Sequence, residues 1–175
     1  MEVLFKTVHG SHLYGLAHEN SDNDFYTVVS KVKTARAKYA RQSIVDGVDS
    51  TMVDFGTWLM QCEAGVPQAL EAMFSTMPLV DNLEGFRLGY RTGTQCWDRY
   101  LRTIKSFAMN DEEDETFHLK KKRHALRLAL NFNDMRRYGM FNPTLTNPQK
   151  VWLNDYAGLP SESLYRLALH TAWKS

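Results

Sequence analysis

Cysteine is scarce in this chain, since Cys62 and Cys96 are the only two and they form no Cys-x-x-Cys pair. This scarcity excludes a disulfide framework and a zinc ribbon, because both need several cysteines at set spacings. Unpaired cysteines are typical of proteins that work in a reducing compartment. The cysteine content therefore favours the cytoplasm.

Long apolar runs and an excess of one charge are also missing. No stretch approaches the roughly 18 apolar residues of a membrane-spanning helix, and residues 1–10 lack the pattern of a signal peptide. The 21 basic residues nearly balance the 20 acidic ones. This balance excludes a protein that binds nucleic acid by bulk charge, although it leaves room for a local basic patch.

The order of predicted elements indicates an α+β fold. Strands are expected at 3–8, 25–29 and about 44–53, where β-branched and aromatic residues gather. Asp54 is expected to cap a helix that Gly65 ends, and Pro67 to begin another. The remainder is expected to be helical, with segments at 85–109, 117–138, 149–156 and 161–173, the last capped by Ser161. A small mixed sheet with flanking helices would thus precede a helical C-terminal part.

Two small motifs between the first two strands carry the chemistry. Asp22 and Asp24 are two residues apart at the entry to a strand, so their carboxylates are expected to share one face. Carboxylates on one face suit Mg²⁺, which proteins hold with a few carboxylates, substrate phosphates and waters. Gly10 and Ser11 lie at a strand-to-helix turn, where backbone N–H groups and a hydroxyl can bind a phosphate.

The stretch GSHLYGLAHENSDNDFYTVV, residues 10–29, resembles the nucleotidyltransferase superfamily that includes DNA polymerase beta and kanamycin nucleotidyltransferase. Its variant of the motif is similar to predicted nucleotidyltransferases of bacteria and phages. The resemblance implies a palm-like catalytic core, which we place at 1–82 because the strand pattern fades from Leu83 onward, followed by a helical subdomain at 83–175. It also implies a third carboxylate on a later strand. Asp49 is the candidate we favour, with Asp46 and Asp54 as competitors; for Asp54 we prefer the role of helix cap.

The resemblance implies nucleotidyl transfer assisted by two Mg²⁺ or Mn²⁺ ions. Asp22, Asp24 and Asp49 would hold the metal ions, and Gly10 and Ser11 would hold the β- and γ-phosphates of an NTP such as ATP. The nucleoside monophosphate would pass to an acceptor hydroxyl on a protein side chain, an RNA 3′ end or a small molecule.

The segment KKKRHALRLAL, residues 120–130, resembles a helix found downstream in the same relatives. His124, Arg127 and Lys121, with Lys120 as the alternative to Lys121, are therefore candidates for binding the triphosphate, because residues three and four apart share a helix face. Lys122 and Arg123 are interpreted as a solvated charged face that pairs with the acidic run 110–115.

Other interpretations compete with an active transferase. The same fold could serve as a noncatalytic nucleotide-binding regulator, such as an antitoxin-like partner, or as an RNA-binding module. An intact set of carboxylates favours the enzyme. His9 and His12 lack a third metal ligand and are interpreted as turn and surface residues. The four tryptophans are expected in the core.

Overall fold

The computed structural model describes residues 1–31, 40–110 and 114–175, and its described elements confirm the α+β class. The strands are β1 Val3–His9, β2 Asn23–Val29, β3 Ala40–Val45, β4 Val48–Asp54 and β5 Pro78–Asp81. The helices are α1 Gly10–Tyr14, α2 Phe55–Glu63, α3 Pro67–Met73, α4 Glu84–Gly89, α5 Trp97–Ala108, α6 Glu115–Tyr138, α7 Asn147–Tyr156 and α8 Ser161–Ala172. Residues 32–39, which hold most of the basic residues between Lys31 and Arg41, and residues 111–113 of the acidic run lie outside the described residues.

Contacts within the chain divide it into two compact units. The sheet unit consists of residues 1–90 and 142–144, and the helical unit consists of residues 91–141 and 145–175. The predicted functional division between residues 82 and 83 stays a prediction. Among the described residues, no helix of either unit is long and apolar enough to cross a membrane. The cytoplasmic location stays a prediction.

The sheet is mixed and has the strand order β3-β4-β2-β1-β5. Only β2 and β4 pair in parallel, with Asp24 opposite Asp49; the other described pairs are antiparallel. This arrangement places β2 and β4 side by side in the interior of the sheet.

The single strand predicted at about 44–53 is confirmed over residues 48–53 of β4 and wrong at its start, because residues 44–45 end β3 and residues 46–47 form the turn of the β3–β4 hairpin. The turn between these strands is Asp46-Gly47, with positive φ angles of 50° and 74°. An Asp-Gly pair between two strands is a strong hairpin signal, since both positions of such a turn need left-handed backbone. The short edge strand β5 was not predicted at all.

The core of the sheet unit lies between the sheet and helices α2 and α3. Phe5 of β1 stacks on Trp58 of α2 with ring centroids 5.7 Å apart, and both are fully buried. The Trp58 indole N–H also donates to the carbonyl of Ala69 in α3, at 3.1 Å. The core role predicted for Trp58 is confirmed, whereas Trp173 is 47% exposed and is not a core residue.

Local sequence signals account for the starts of α2 and α3. The Asp54 carboxylate accepts hydrogen bonds from the backbone N–H of Thr57 at 3.1 Å and from its hydroxyl at 2.6 Å, which confirms the predicted helix cap. Pro67 stands in the first turn of α3, as expected of a residue without an N–H to satisfy. Gly65 separates the two helices at a φ of 77°.

The helical unit is built around α6, which packs on α5 and α8. The helix predicted at 117–138 is confirmed, and Gly139 ends it in the left-handed conformation at a φ of 71°. Its buried residues recur at helical spacing, as an amphipathic helix requires. They include Ala125, Leu126, Ala129, Phe132 and Met135.

Lys122 corrects the interpretation of a solvated charged face on α6. Its side chain is fully buried, and its ammonium group donates to the carbonyl of Ala108 and to the hydroxyl of Ser161. Ser161 is also not the predicted N-cap, because Pro160 holds that position and α8 begins at Ser161. A buried ammonium needs such partners to offset its lost hydration, so Lys122 ties the end of α5 to the start of α8.

Candidate active site

The corner between β1 and α1 brings the predicted phosphate-binding turn against a predicted metal ligand. Gly10 begins α1 at a φ of 62°. A β-carbon at this position would overlap the Asp24 carboxylate, with the Asp24 Cγ only 3.0 Å away. Position 10 therefore demands glycine twice, once for its backbone angle and once for its lack of a side chain.

A row of polar residues crosses three adjacent strands at this corner. His9 of β1 stands opposite Asp24 of β2, and Asp24 stands opposite Asp49 of β4. Directly opposed residues in a sheet share a face, so the two carboxylates lie side by side with His9 next to them. Further along the strands the same face carries the buried side chains of Tyr26 and Val53, which places the row at one end of the core.

One carboxylate oxygen of Asp49 accepts a hydrogen bond and the other does not. Its Oδ2 accepts a hydrogen bond from the side-chain amide of Gln42, at 2.8 Å. Its Oδ1 is buried and has no hydrogen-bond partner. A buried acceptor without a partner costs about 1–3 kcal/mol, and more when it is charged. An oxygen in this state is suited to binding a cation.

Asp22 lies just before β2, beside the turn of the β3–β4 hairpin. A β-carbon on Gly47 would stand 3.5 Å from the Asp22 Oδ1. Asp22 is exposed, and Asp46, one of the competitors for the third carboxylate, occupies the left-handed first position of the same turn. The hairpin that the sequence-based prediction missed thus brings Asp22 close to the strand that carries Asp49.

The predicted cations lie on α6, in the helical unit, whereas Gly10 and the carboxylates lie in the sheet unit. Arg127 is 3% exposed, and its Nη2 lies 3.2 Å from His124 Nδ1. A guanidinium can only donate, so Nδ1 is the acceptor and carries no proton in this contact. The predicted shared face of His124 and Arg127 is confirmed, while the nucleotide-binding role of Lys121, His124 and Arg127 stays a prediction.

His9 corrects the interpretation of a turn and surface residue, because it is only 8% exposed. Its Nε2 lies 3.4 Å from Oε2 of Glu71 in α3, without forming a hydrogen bond. The same carboxylate accepts a hydrogen bond from the Tyr14 hydroxyl. The alternation of Phe5, Thr7 and His9 along β1 was the available signal, since it puts His9 on the buried face with the other two.

Tyr26 lies in the same buried layer. Burial raises the pKa of its hydroxyl, and the charge of Cys62 raises it further. The hydroxyl therefore stays protonated, and it donates to the side-chain carbonyl of Gln61 at 3.2 Å. Tyr26 thus stands on β2, two residues from Asp24, with its hydroxyl bonded to helix α2.

The carboxylates offer oxygen ligands to a metal ion here, but they do not form a complete coordination site. Within residues 1–31, 40–110 and 114–175, no three His, Cys, Asp or Glu side chains are arranged to hold an ion. The unsatisfied buried oxygen of Asp49 and the neighbouring carboxylate of Asp24 are nevertheless the hard oxygen ligands that Mg²⁺ takes. Since Mg²⁺ usually keeps waters and binds substrate phosphates, two or three carboxylates fit its needs.

Comparison with known proteins agrees with this architecture. No curated protein matches the chain. The model of one family, described as RlaP, an RNA repair pathway DNA polymerase beta family, matches residues 1–164, which span the sheet unit and most of the helical unit. The polymerase beta-like character expected from residues 10–29 is thereby confirmed, and the chain belongs to the RlaP family of DNA polymerase beta-like nucleotidyltransferases of an RNA repair pathway.

Proposed function

We propose that this protein transfers a nucleoside monophosphate from an NTP to a hydroxyl group of RNA. The observation that carries the proposal is the pairing of Asp24 with Asp49 on adjacent parallel strands, directly beside the left-handed Gly10. In the proposed reaction the acceptor oxygen bonds to the α-phosphorus, and the bond from that phosphorus to the β-phosphate oxygen breaks. Pyrophosphate leaves, and the acceptor hydroxyl gives up its proton to solvent water.

The carboxylates of Asp22, Asp24 and Asp49 would hold Mg²⁺ or Mn²⁺. Such a metal ion would lower the pKa of the acceptor hydroxyl and offset the negative charge of the phosphates. The turn at Gly10 and Ser11 contributes backbone N–H groups and a hydroxyl to the β- and γ-phosphates. Gln42 donates to the Asp49 carboxylate and so holds its orientation.

RNA is the acceptor that two observations favour over a protein or a small molecule. The family is described as one of an RNA repair pathway. In addition, α5 bears a shallow, open surface groove lined by Arg99, Arg102, Thr103 and Ser106. These residues follow one another at helical spacing, and guanidinium and hydroxyl groups are typical contacts of nucleic-acid phosphates.

Lys121, His124 and Arg127 on α6 remain our candidates for further contacts with the triphosphate. Arg127 and His124 already hold each other in place by the contact at 3.2 Å. A guanidinium fixed in this way can bind a phosphate with little loss of side-chain entropy.

The test offers the purified full chain α-labelled ATP, CTP, GTP or UTP with Mg²⁺. Three acceptors are compared: a single-stranded RNA with a free 3′ hydroxyl, the same RNA with a blocked 3′ end, and a protein extract freed of RNA. We expect label on RNA, and no label after a chelator removes the metal. Label on protein alone would overturn RNA as the acceptor, and NTP binding without transfer to any acceptor would favour a noncatalytic regulator. RNA binding that needs neither NTP nor metal would favour an RNA-binding module.

A further inference from the structure

A buried carboxylate behind the candidate site has no role in the reaction as described so far. Glu71 of α3 is 1% exposed. Its Oε2 accepts a hydrogen bond from the Tyr14 hydroxyl and lies 3.4 Å from His9 Nε2. Burying a carboxylate is unfavourable unless partners replace its hydration. If this position only filled space, an apolar side chain would stabilise the fold more.

The two partners of Glu71 lie on either side of the phosphate-binding turn. His9 directly precedes Gly10, and Tyr14 is the last residue of α1. Their rings also meet edge to face, with centroids 6.2 Å apart. A single side chain of α3 therefore contacts both ends of the segment that holds Gly10 and Ser11.

This segment needs external support to keep its position. A helix of five residues is too short to be stable by itself, and glycine loses more conformational entropy on ordering than any other residue. Thr144 gives one further contact by donating to the carbonyl of Leu13 at 2.8 Å. Yet the Gly10 backbone must lie directly against the Asp24 carboxylate, so small displacements of α1 would change the site.

We propose that Glu71 is a positioning residue that, through Tyr14 and His9, holds the Gly10-Ser11 turn in place against the Asp24–Asp49 pair. The inference deepens the proposed function and rests on it for its kinetic consequences. Glu71 touches none of the reacting groups in this assignment. It acts by fixing where the phosphate-binding N–H groups stand.

The kinetic test is the variant Tyr14→Phe, which removes one hydroxyl and keeps the ring. Its matched control is Tyr26→Phe, which removes the hydroxyl of another buried tyrosine in the same layer, one that bonds to Gln61 of α2 and not to Glu71. We expect Tyr14→Phe to lower kcat/KM for the NTP about tenfold or more while KM for RNA stays unchanged. Tyr26→Phe should stay within about twofold of the wild type. Equal kinetics for the two variants would overturn the proposal.

Variants of Glu71 itself separate its hydrogen bonding from its volume. Glu71→Gln keeps an oxygen that can accept from Tyr14, whereas Glu71→Met has a similar size and no such acceptor. We expect Glu71→Gln to retain several times more transfer than Glu71→Met when both are compared well below their melting temperatures. A folded Glu71→Met variant with the activity of Glu71→Gln would contradict the proposal.

A measurement without substrate separates this inference from the proposed function. The backbone N–H groups of Gly15 and Leu16 donate to the carbonyls of His12 and Ser11, so their hydrogen exchange reports opening of α1. We expect Tyr14→Phe to speed exchange at both amides about tenfold relative to Tyr26→Phe. If this occurs but the wild type transfers no nucleotide, the proposed function fails and the support by Glu71 stands. Unchanged exchange in a protein that does transfer nucleotide would overturn the support and leave the function intact.

Discussion

At the scale of single residues, the backbone of Gly10 is the most constrained position of the candidate site. Gly10→Ala would place a β-carbon on the Asp24 carboxylate at a φ of 62°. The left-handed backbone alone costs alanine about 1–2 kcal/mol, and the overlap must add to this. We expect the variant to melt at a clearly lower temperature and to lose nucleotidyl transfer.

The matched control for this change is Gly85→Ala in α4 of the same unit. A β-carbon at position 85 would meet no atom within 4 Å. In a helix, alanine is favoured over glycine by roughly 0.5–1 kcal/mol, so we expect an unchanged or raised melting temperature and full activity. Equal effects of the two substitutions would show that the Gly10 backbone is not constrained by Asp24.

What the sequence predicts at the residue scale depends on whether the cause is local. The capping role of Asp54 was predictable, because a cap needs only the next three residues. The pairing of Asp49 with Asp24 was not derivable in the same way, since it depends on the register of a parallel strand pair. The burial of His9 could have been predicted from strand alternation, but its contact with Glu71 could not, because the two residues are 62 positions apart in the chain.

At the scale of elements, Lys122 joins two helix ends in the helical unit. Its ammonium group donates to the carbonyl of Ala108, the last residue of α5, and to the hydroxyl of Ser161, the first residue of α8. Removing a buried charged donor leaves such groups without a partner and costs about 1.5–3 kcal/mol per bond, offset in part by the relieved burial of the charge. We expect Lys122→Ala to lower the free energy of unfolding by about 2–3 kcal/mol in denaturant titrations.

Lys120 is the matched control for this change, because it lies on the same helix two residues earlier and is exposed. Substitutions of exposed residues usually stay within about 0.5 kcal/mol, so Lys120→Ala should be nearly neutral. A Lys122→Ala variant as stable as Lys120→Ala would contradict the linking role of Lys122.

Asp134 gives α6 a pH-dependent contribution to stability. Burial raises the pKa of its carboxyl, and Arg137 offsets this in part. The pKa of Asp134 is higher in the folded than in the unfolded protein. The free energy that protonated Asp134 contributes to folding is therefore fully present at acid pH, below the unfolded-state pKa. It is lost as the pH rises through the folded-state value. We therefore expect Asp134→Asn to melt at a higher temperature than the wild type at pH 7 and at nearly the same temperature at pH 3. A gain that persists at pH 3 would contradict this origin.

The elements themselves were predicted unevenly, for physical reasons. The long helix α6 was found because its apolar residues repeat at helical spacing over 24 residues. The β3–β4 hairpin was read as one strand, although Asp46-Gly47 carried its turn signal. The strand β5 is only four residues long, which is too short for an alternating pattern to be recognised, and it becomes a strand through its pairing with β1.

At the scale of the whole molecule, the near balance of charge still leaves two arginines, Arg99 and Arg102, side by side in the shallow groove on α5, with Arg102 paired to Asp98. We expect Arg102→Gln to weaken binding of single-stranded RNA and to lower the slope of log affinity against log salt by about 1. Arg166→Gln is the matched control, because Arg166 and Glu162 form an exposed i,i+4 pair at 3.0 Å on α8, as Arg102 and Asp98 do on α5. The same salt slope for both variants would show that the α5 groove does not contact RNA phosphates.

The division into units was the least predictable feature of the molecule. Residues 142–144 belong to the sheet unit although helical segments surround them in the sequence, and Thr144 bonds to Leu13 across 131 positions. The motif at residues 10–29 nevertheless indicated the family, because its glycine, serine and aspartates are required by phosphate and metal binding and not by packing of the core.

Transfer of α-labelled nucleotide to RNA, compared among Asp24→Asn, Asp49→Asn and Asp54→Asn, tests the carboxylate pair most directly. Each change removes one negative charge from the sheet unit, but Asp54 ends β4 opposite Val29, whereas Asp24 and Asp49 pair at the other end of the two strands. Asparagine still caps a helix at position 54. We expect Asp24→Asn and Asp49→Asn to lose transfer by at least about a thousandfold, within the range of a metal-assisted step, while Asp54→Asn keeps the wild-type rate. Full transfer by Asp49→Asn, or a loss in Asp54→Asn alone, would contradict the assignment of Asp24 and Asp49 as the catalytic pair.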